Sequence, residues 1–273
     1  MKTDVSVVVG VGGMGRAVAA RIGSGRHLFL ADFDERLLTE AAAQFTEQGF
    51  EVSTHQVDAG DPASVAELAA AAAATGPIRH LVHTAGVSPV KASTEAIVRV
   101  DLCGVAYVLD EFAPLMARGA AGVVIASMAG HLAQLTAEQE TALAATPTAE
   151  LAGLPFLNPE PALHPMLAYP IAKRGATIRV QAAAGAWGRS GARVNSISPG
   201  VISTAQGRDE LAGESGARMR QMIEQSATGR IGTAEDIAAA ATYLLDPASS
   251  FVTGTDLLVD GGVVATMRAA MRG

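Results

Sequence analysis

A tyrosine and a lysine stand four positions apart in 169-YPIAK-173. On a helix that spacing puts Tyr169 and Lys173 on one face, about one turn apart. A phenol beside an ammonium is either a surface accident or an acid/base pair. A free tyrosine has a pKa of about 10, too high for a base at neutral pH. A neighbouring positive charge favours the phenolate, which suits proton exchange with a substrate oxygen. Ser127, in 125-IASMAG-130, follows an apolar run. A serine there is first of all a turn former.

A second group of residues suits an anion. The stretch 10-GVGGMG-15 follows VSVVV and opens GRAVAARI. Read as G-x-G-x-x-G, it uses Gly10, Gly12 and Gly15, with Gly13 and Met14 inside the turn. Such a turn allows close backbone approach to a pyrophosphate at a helix N-terminus. Asp32 ends the second apolar run in 30-LADFD-34. A carboxylate there accepts hydrogen bonds from ribose hydroxyls and repels a 2′-phosphate, which favours NAD(H) over NADP(H). Asp32 could instead cap the following helix, but Asp34 is better placed to do so. Arg16 keeps NADP(H) as the minority alternative. Asp58 and Ala59 in 57-VDAGD-61, and Ala85 and Gly86 in 83-HTAG-86, fall at the ends of later runs. Ligands bind at the carboxyl ends of strands in open sheets. From there Asp58 could reach an adenine amino group.

These residues need a scaffold. Strand-like runs lie near 4–9, 27–31, 51–56, 79–83, 122–126, 192–197 and 256–259. Helical patterns lie near 13–23, 34–48, 62–75, 93–117, 167–189, 207–226 and 234–245. Continuous apolar strands alternating with helices predict an α/β, doubly wound Rossmann fold, with about seven parallel strands and helices on both faces. Residues 1–273 are expected to form a single domain. Asp61 before Pro62, and Thr233, are expected helix caps. Residues 131–166 interrupt the alternation, with five prolines and room for one or two short helices. A segment of that length is a lid or an interface element.

Composition narrows the partners. The chain carries a net charge of -7 and no basic cluster, so nucleic acid and anionic membranes are not expected partners. No apolar run is long enough to span a bilayer. The N-terminal residues read as a strand, so no signal peptide is expected. The single cysteine, Cys103, reads as a small buried residue in a reducing compartment. A cytoplasmic location is expected, and no metal site.

Taken together, the glycine turn, Asp58, Ala85–Gly86, Ser127 with Gly130, Tyr169/Lys173, 195-NSISPG-200, Thr204 and 258-LVDGG-262 resemble the short-chain dehydrogenases/reductases over essentially the whole chain. The resemblance implies NAD(P)-dependent interconversion of an alcohol and a ketone, by a homodimer or homotetramer. It implies that Tyr169 is the general acid/base. Lys173 would tune it and hold the nicotinamide ribose, and Ser127 would orient the substrate oxygen. Pro199, Gly200, Ile202 and Thr204 correspond to the family's nicotinamide-side loop, and 203–226 to its substrate lid. The chain departs from the family pattern in four places. The glycine turn is closer to the general dinucleotide fingerprint. HTAG replaces N-N-A-G, with His83 read as a packed strand-end residue. Asp101 stands where the family has an active-site asparagine; it could pair with Lys173 or face outward. The 131–166 segment resembles, in position and length, the insertion of a bacterial 3α-hydroxysteroid dehydrogenase. The expected substrate is hydrophobic or cyclic, because the insertion and lid supply Leu, Met, Phe and Ala. A catalytically silent dinucleotide sensor or scaffold is the alternative, as is an epimerase or dehydratase using the same tyrosine and lysine.

Overall fold

The computed structural model describes residues 2–213 and 216–271. Residues 1, 272 and 273 of the expected domain, and residues 214–215 of the expected lid, lie outside the described residues. Seven parallel strands form one sheet: β1 (Val5–Val9), β2 (His27–Asp32), β3 (Glu51–Gln56), β4 (Ile78–His83), β5 (Met116–Ile125), β6 (Arg193–Pro199) and β7 (Asp256–Val259). Their order is β3-β2-β1-β4-β5-β6-β7. Sequence order reverses between β1 and β4, as in the doubly wound arrangement expected.

Helices cover both faces. The first three are α1 (Gly13–Ile22), α2 (Glu35–Glu47) and α3 (Pro62–Thr75). Asp34 and Asp61 cap α2 and α3 with their side chains, as expected. Between β4 and β5 run α4 (Thr94–Ile97), a π-helical segment (Val98–Gly104) and α5 (Val105–Phe112). The insertion holds α6 (Ala137–Ala145) and two 3-10 turns. Then come α7 (Pro165–Arg189), α8 (Ala205–Ala212), α9 (Gly216–Glu224), α10 (Ala234–Leu245) and α11 (Val263–Ala270). Thr233 caps α10 in a capping box.

Successive strand residues point to opposite faces. Val8, Leu28 and Leu30 pack with Val18 of α1, Phe45 of α2 and Ile237 of α10. Val7, Phe29 and Leu81 pack with Leu68 of α3, Leu109 of α5 and Val180 of α7. Trp187 closes this second layer against Gly122, where a Cβ would meet the indole at 2.6 Å. Its Nε1 donates to Leu109 O at 3.1 Å. Small residues thus let α7 lie directly on the sheet.

Four expectations need correction. The helix expected to reach 117 ends at Phe112, because Pro114 has no N–H to continue the ladder. Strand β5 starts at Met116 instead, where Met116 pairs with Ile78. The helix expected over 207–226 is two helices, since Gly213 takes an extended conformation after α8. Helix α7 starts at Pro165, so Pro170 lies in its second turn and removes the bond to Met166 O; the helix nevertheless continues through it. Helix α11 was not expected at all.

The insertion is part of the core. Leu143, Leu151 and Leu157 are buried with Ile97, Leu102 and Ile178 against α4, the π-helical segment and α7. Arg179 of α7 donates to Ala144 O and Thr146 O at the end of α6, and Arg174 pairs with Glu140 at 2.7 Å. These three leucines are therefore spent on this helical face.

Candidate active site

The carboxyl ends of β1, β2 and β4 come level, with Val9 in register with Ala31 on one side and His83 on the other. Gly10 leaves β1 at a φ of 93°. A Cβ on Gly15 would collide with the Gly10 carbonyl, and one on Gly10 would lie 2.5 Å from Ala85 N. Thr84 Oγ1 donates to Gly10 O at 2.8 Å and braces the turn. Helix α1 has Gly12 as its N-cap, which supplies no side-chain cap. Its first amides are therefore available to an anion.

The turn opens into a cleft of about 440 Å³. Gly10, Gly12, Gly13 and Met14 line it, with Asp32 on one side. Asp58, Ala59, Ala85, Gly86 and Thr204 of the expected set also line it, while Tyr169 and Lys173 do not. Gly15 packs behind the turn. Pro199, Gly200 and Ile202 do not join this cleft. Gly200 backs onto Asp260, and Gly200 and Ile202 line a separate cleft of about 220 Å³. Of that loop only Thr204 reaches over, close to Gly13.

Asp32 Oδ2 accepts from Val11 N at 2.7 Å and Oδ1 from Asp34 N at 3.0 Å. Arg16 is committed elsewhere: Nε donates to Val11 O at 2.8 Å, Nη2 to Leu37 O at 3.2 Å, and it pairs with Glu40. Asp58 Oδ2 takes Arg99 Nη1 at 2.7 Å, while Oδ1 accepts from Gly60 N.

Beyond Gly86 lies the second cluster. A Cβ on Gly86 would meet Asp101 Oδ1 at 2.7 Å and Lys173 Nζ at 3.0 Å. Only glycine lets the cleft and this pair adjoin. Asp101 does not face outward: it is fully buried and its Oδ1 is 3.3 Å from Lys173 Nζ. The same oxygen accepts from Val87 N at 3.0 Å, while Oδ2 has no partner among the described residues. The wide π-helical turn carries Asp101 inward. Lys173 Nζ is 5.5 Å from the Tyr169 ring centroid. Ser127 Oγ accepts from Ala129 N at 3.2 Å, the turn role expected.

Burial raises the Tyr169 phenol most, Lys173 pulls it down, Asp101 and Glu210 add to the rise, and Ser127 opposes it. Lys173 favours phenolate as expected, but burial outweighs it and the phenol ends above its ordinary value. Burial also works against the Lys173 ammonium, yet Asp101 and Tyr169 more than offset it and hold the lysine charged. Burial pushes Asp101 up. His83 is fully buried at the strand end, as expected, and burial followed by Lys173 lowers it to about 3.

Sequence reasoning missed the clasp of the lid. Ser88 Oγ donates to Glu210 Oε1 at 2.6 Å, and Lys91 Nζ pairs with Asp209 Oδ2 at 2.6 Å. It also missed Phe33 and Arg99, which line the cleft. Each sits one residue from a motif or in the next element, so only the fold brings them in.

Comparison with known proteins agrees with this fold. The family model described as short chain dehydrogenase matches residues 4–139, and one described as enoyl-(acyl carrier protein) reductase matches 156–264. The short-chain dehydrogenase/reductase bsc3 of Alternaria brassicicola is 39% identical over 271 residues, 97% of each chain. The 3-alpha-hydroxysteroid dehydrogenase/carbonyl reductase of Comamonas testosteroni is 33% identical over 201 residues, 69% of this chain and 73% of the relative. The crystal structure of levodione reductase is 26% identical, with a TM-score of 0.77 over 96% of this chain and 98% of that one.

Proposed function

The chain belongs to the short-chain dehydrogenase/reductase family, and from that premise we propose that it interconverts a secondary alcohol and a ketone with NAD(H). When bound, the dinucleotide accepts or supplies the hydride. The observation that carries the reading is the adjacency, through Gly86, of the uncapped glycine-turn cleft to Lys173, whose ammonium lies 5.5 Å from the Tyr169 ring. The cleft suits a dinucleotide: its turn tolerates no Cβ at Gly10 or Gly15, and α1 offers free amides. Asp32 would take the adenosine ribose. Arg16, fully engaged with Val11, Leu37 and Glu40, supports NAD(H) over NADP(H), although some relatives are named NADP-dependent mannitol dehydrogenases.

In this reading the Ser127 hydroxyl orients the substrate oxygen, and the Tyr169 oxygen gives it a proton or takes one from it. Lys173, kept charged by Asp101, biases that proton transfer. The expected homo-oligomer and cytoplasmic location belong to the same proposal. Among the described residues, no helix is long and apolar enough to cross a membrane. The test is NADH-dependent reduction of a panel of ketones by wild type and Tyr169→Phe. Turnover should fall at least ~100-fold in the variant while NADH binding persists. NADH binding with no turnover of any alcohol or ketone would favour the sensor reading.

A further inference from the structure

Resting on the oxidoreductase reading, we propose that Glu210 is a specificity-determining residue, placing a carboxylate at the substrate end of the cleft that selects neutral or cationic alcohols and ketones against anionic ones. Gln206 lines the dinucleotide cleft, and Glu210 stands one turn further along the same face of α8. The helix is clasped down by Lys91–Asp209 and Ser88–Glu210. Ser88 is itself buried, one residue after Val87, whose amide donates to Asp101 beside Lys173. A short run of contacts therefore links the lid carboxylate to the buried acid/base cluster. Glu210 Oε1 is taken by Ser88 and Gln206, at 2.6 and 3.2 Å. Oε2 has no partner among the described residues, so it can accept from a substrate hydroxyl or ammonium. The charge of Glu210 also reaches Tyr169 and Lys173. A substrate carboxylate or phosphate brought to Tyr169 would meet the Glu210 carboxylate, with the Lys173 ammonium already paired to Asp101. Like-charge juxtaposition of this kind rejects a ligand without any steric block.

The experiment compares Glu210→Gln with wild type, since glutamine keeps an acceptor for Ser88 and removes only the charge. Reduction of cyclohexanone and of 4-oxocyclohexanecarboxylate by NADH is measured at low and high salt. The variant should raise kcat/KM for the carboxylated ketone relative to the neutral one by about tenfold at low salt, with the gain shrinking as salt screens the site. An unchanged ratio overturns the proposal. If wild type reduces neither ketone, that counts against the oxidoreductase reading, and a second measurement decides this one. Tyrosinate absorbance is titrated with pH, and the Tyr169→Phe signal is subtracted to remove Tyr107 and Tyr243. Lys173, Asp101, Ser127 and Glu210 are the groups acting on Tyr169. A lower midpoint for Tyr169 in Glu210→Gln supports the placement, and an unmoved midpoint overturns it.

Discussion

Lys173 Nζ and Asp101 Oδ1 lie 3.3 Å apart with both side chains closed off from solvent. Breaking such a pair leaves one buried charge uncompensated, whereas removing both partners leaves none. Asp101→Ala should therefore cost about 3 kcal/mol in denaturant unfolding, and Asp101→Leu/Lys173→Met distinctly less. A double variant as unstable as the single one would mean the two residues do not act as a charge pair.

Asp32 is the expected determinant of the cofactor. Asp32→Ala should weaken NAD binding about tenfold or more, the worth of hydrogen bonds to a charged group, and narrow the gap to NADP. Arg16→Ala should leave the NAD/NADP ratio nearly unchanged, because its guanidinium serves the fold. Calorimetric titration with each dinucleotide checks both. Unchanged NAD affinity in Asp32→Ala would sink the ribose assignment.

Two buried histidines predict acid lability. Burial is the main cause that lowers His80 to about 4 and His83 to about 3, from 6.5. Below 6.5 the unfolded chain takes up protons that the folded one refuses. Stability from each histidine is thus complete above 6.5 and is lost as pH falls toward its folded value, at about 1.4 kcal/mol per pH unit for each. Thermal unfolding from pH 7 to 4 should show this slope, and His83→Asn should flatten it. A His83→Asn slope equal to wild type refutes the assignment.

The insertion is predicted to be structural. Leu151 is fully buried among Leu143, Leu157 and the helical face. Leu151→Ala should cost about 3 kcal/mol, the usual loss for a core leucine. A change below about 0.5 kcal/mol, as at a surface site, would show that the segment is only loosely attached.

Much of this was legible in the sequence because the signals are local. Continuous apolar runs announce strands buried on both faces, and Asp34 and Asp61 cap the helices that their positions suggest. The glycine turn reads directly because Gly15 answers a steric demand a few residues away, at the Gly10 carbonyl. What escaped depends on distant partners. Met116 becomes a strand residue only because Ile78 lies beside it, in a stretch with no β-type pattern of its own. The inward turn of Asp101 needs a π-helical segment that no periodicity reveals. Glu210 looks like any charge on a solvated helix until Ser88 is placed opposite it.

Arg16 and Asp32 grip the same residue, Val11, one by its carbonyl and the other by its amide. The backbone of the glycine turn is thereby suspended between a cation and an anion of the chain's own making. A lineage drifting toward a different dinucleotide would have to release Arg16 from this duty and find another donor to replace Asp32 as an anchor. No single mutation accomplishes both, so on the proposed reading cofactor choice is tied to the architecture of the first turn.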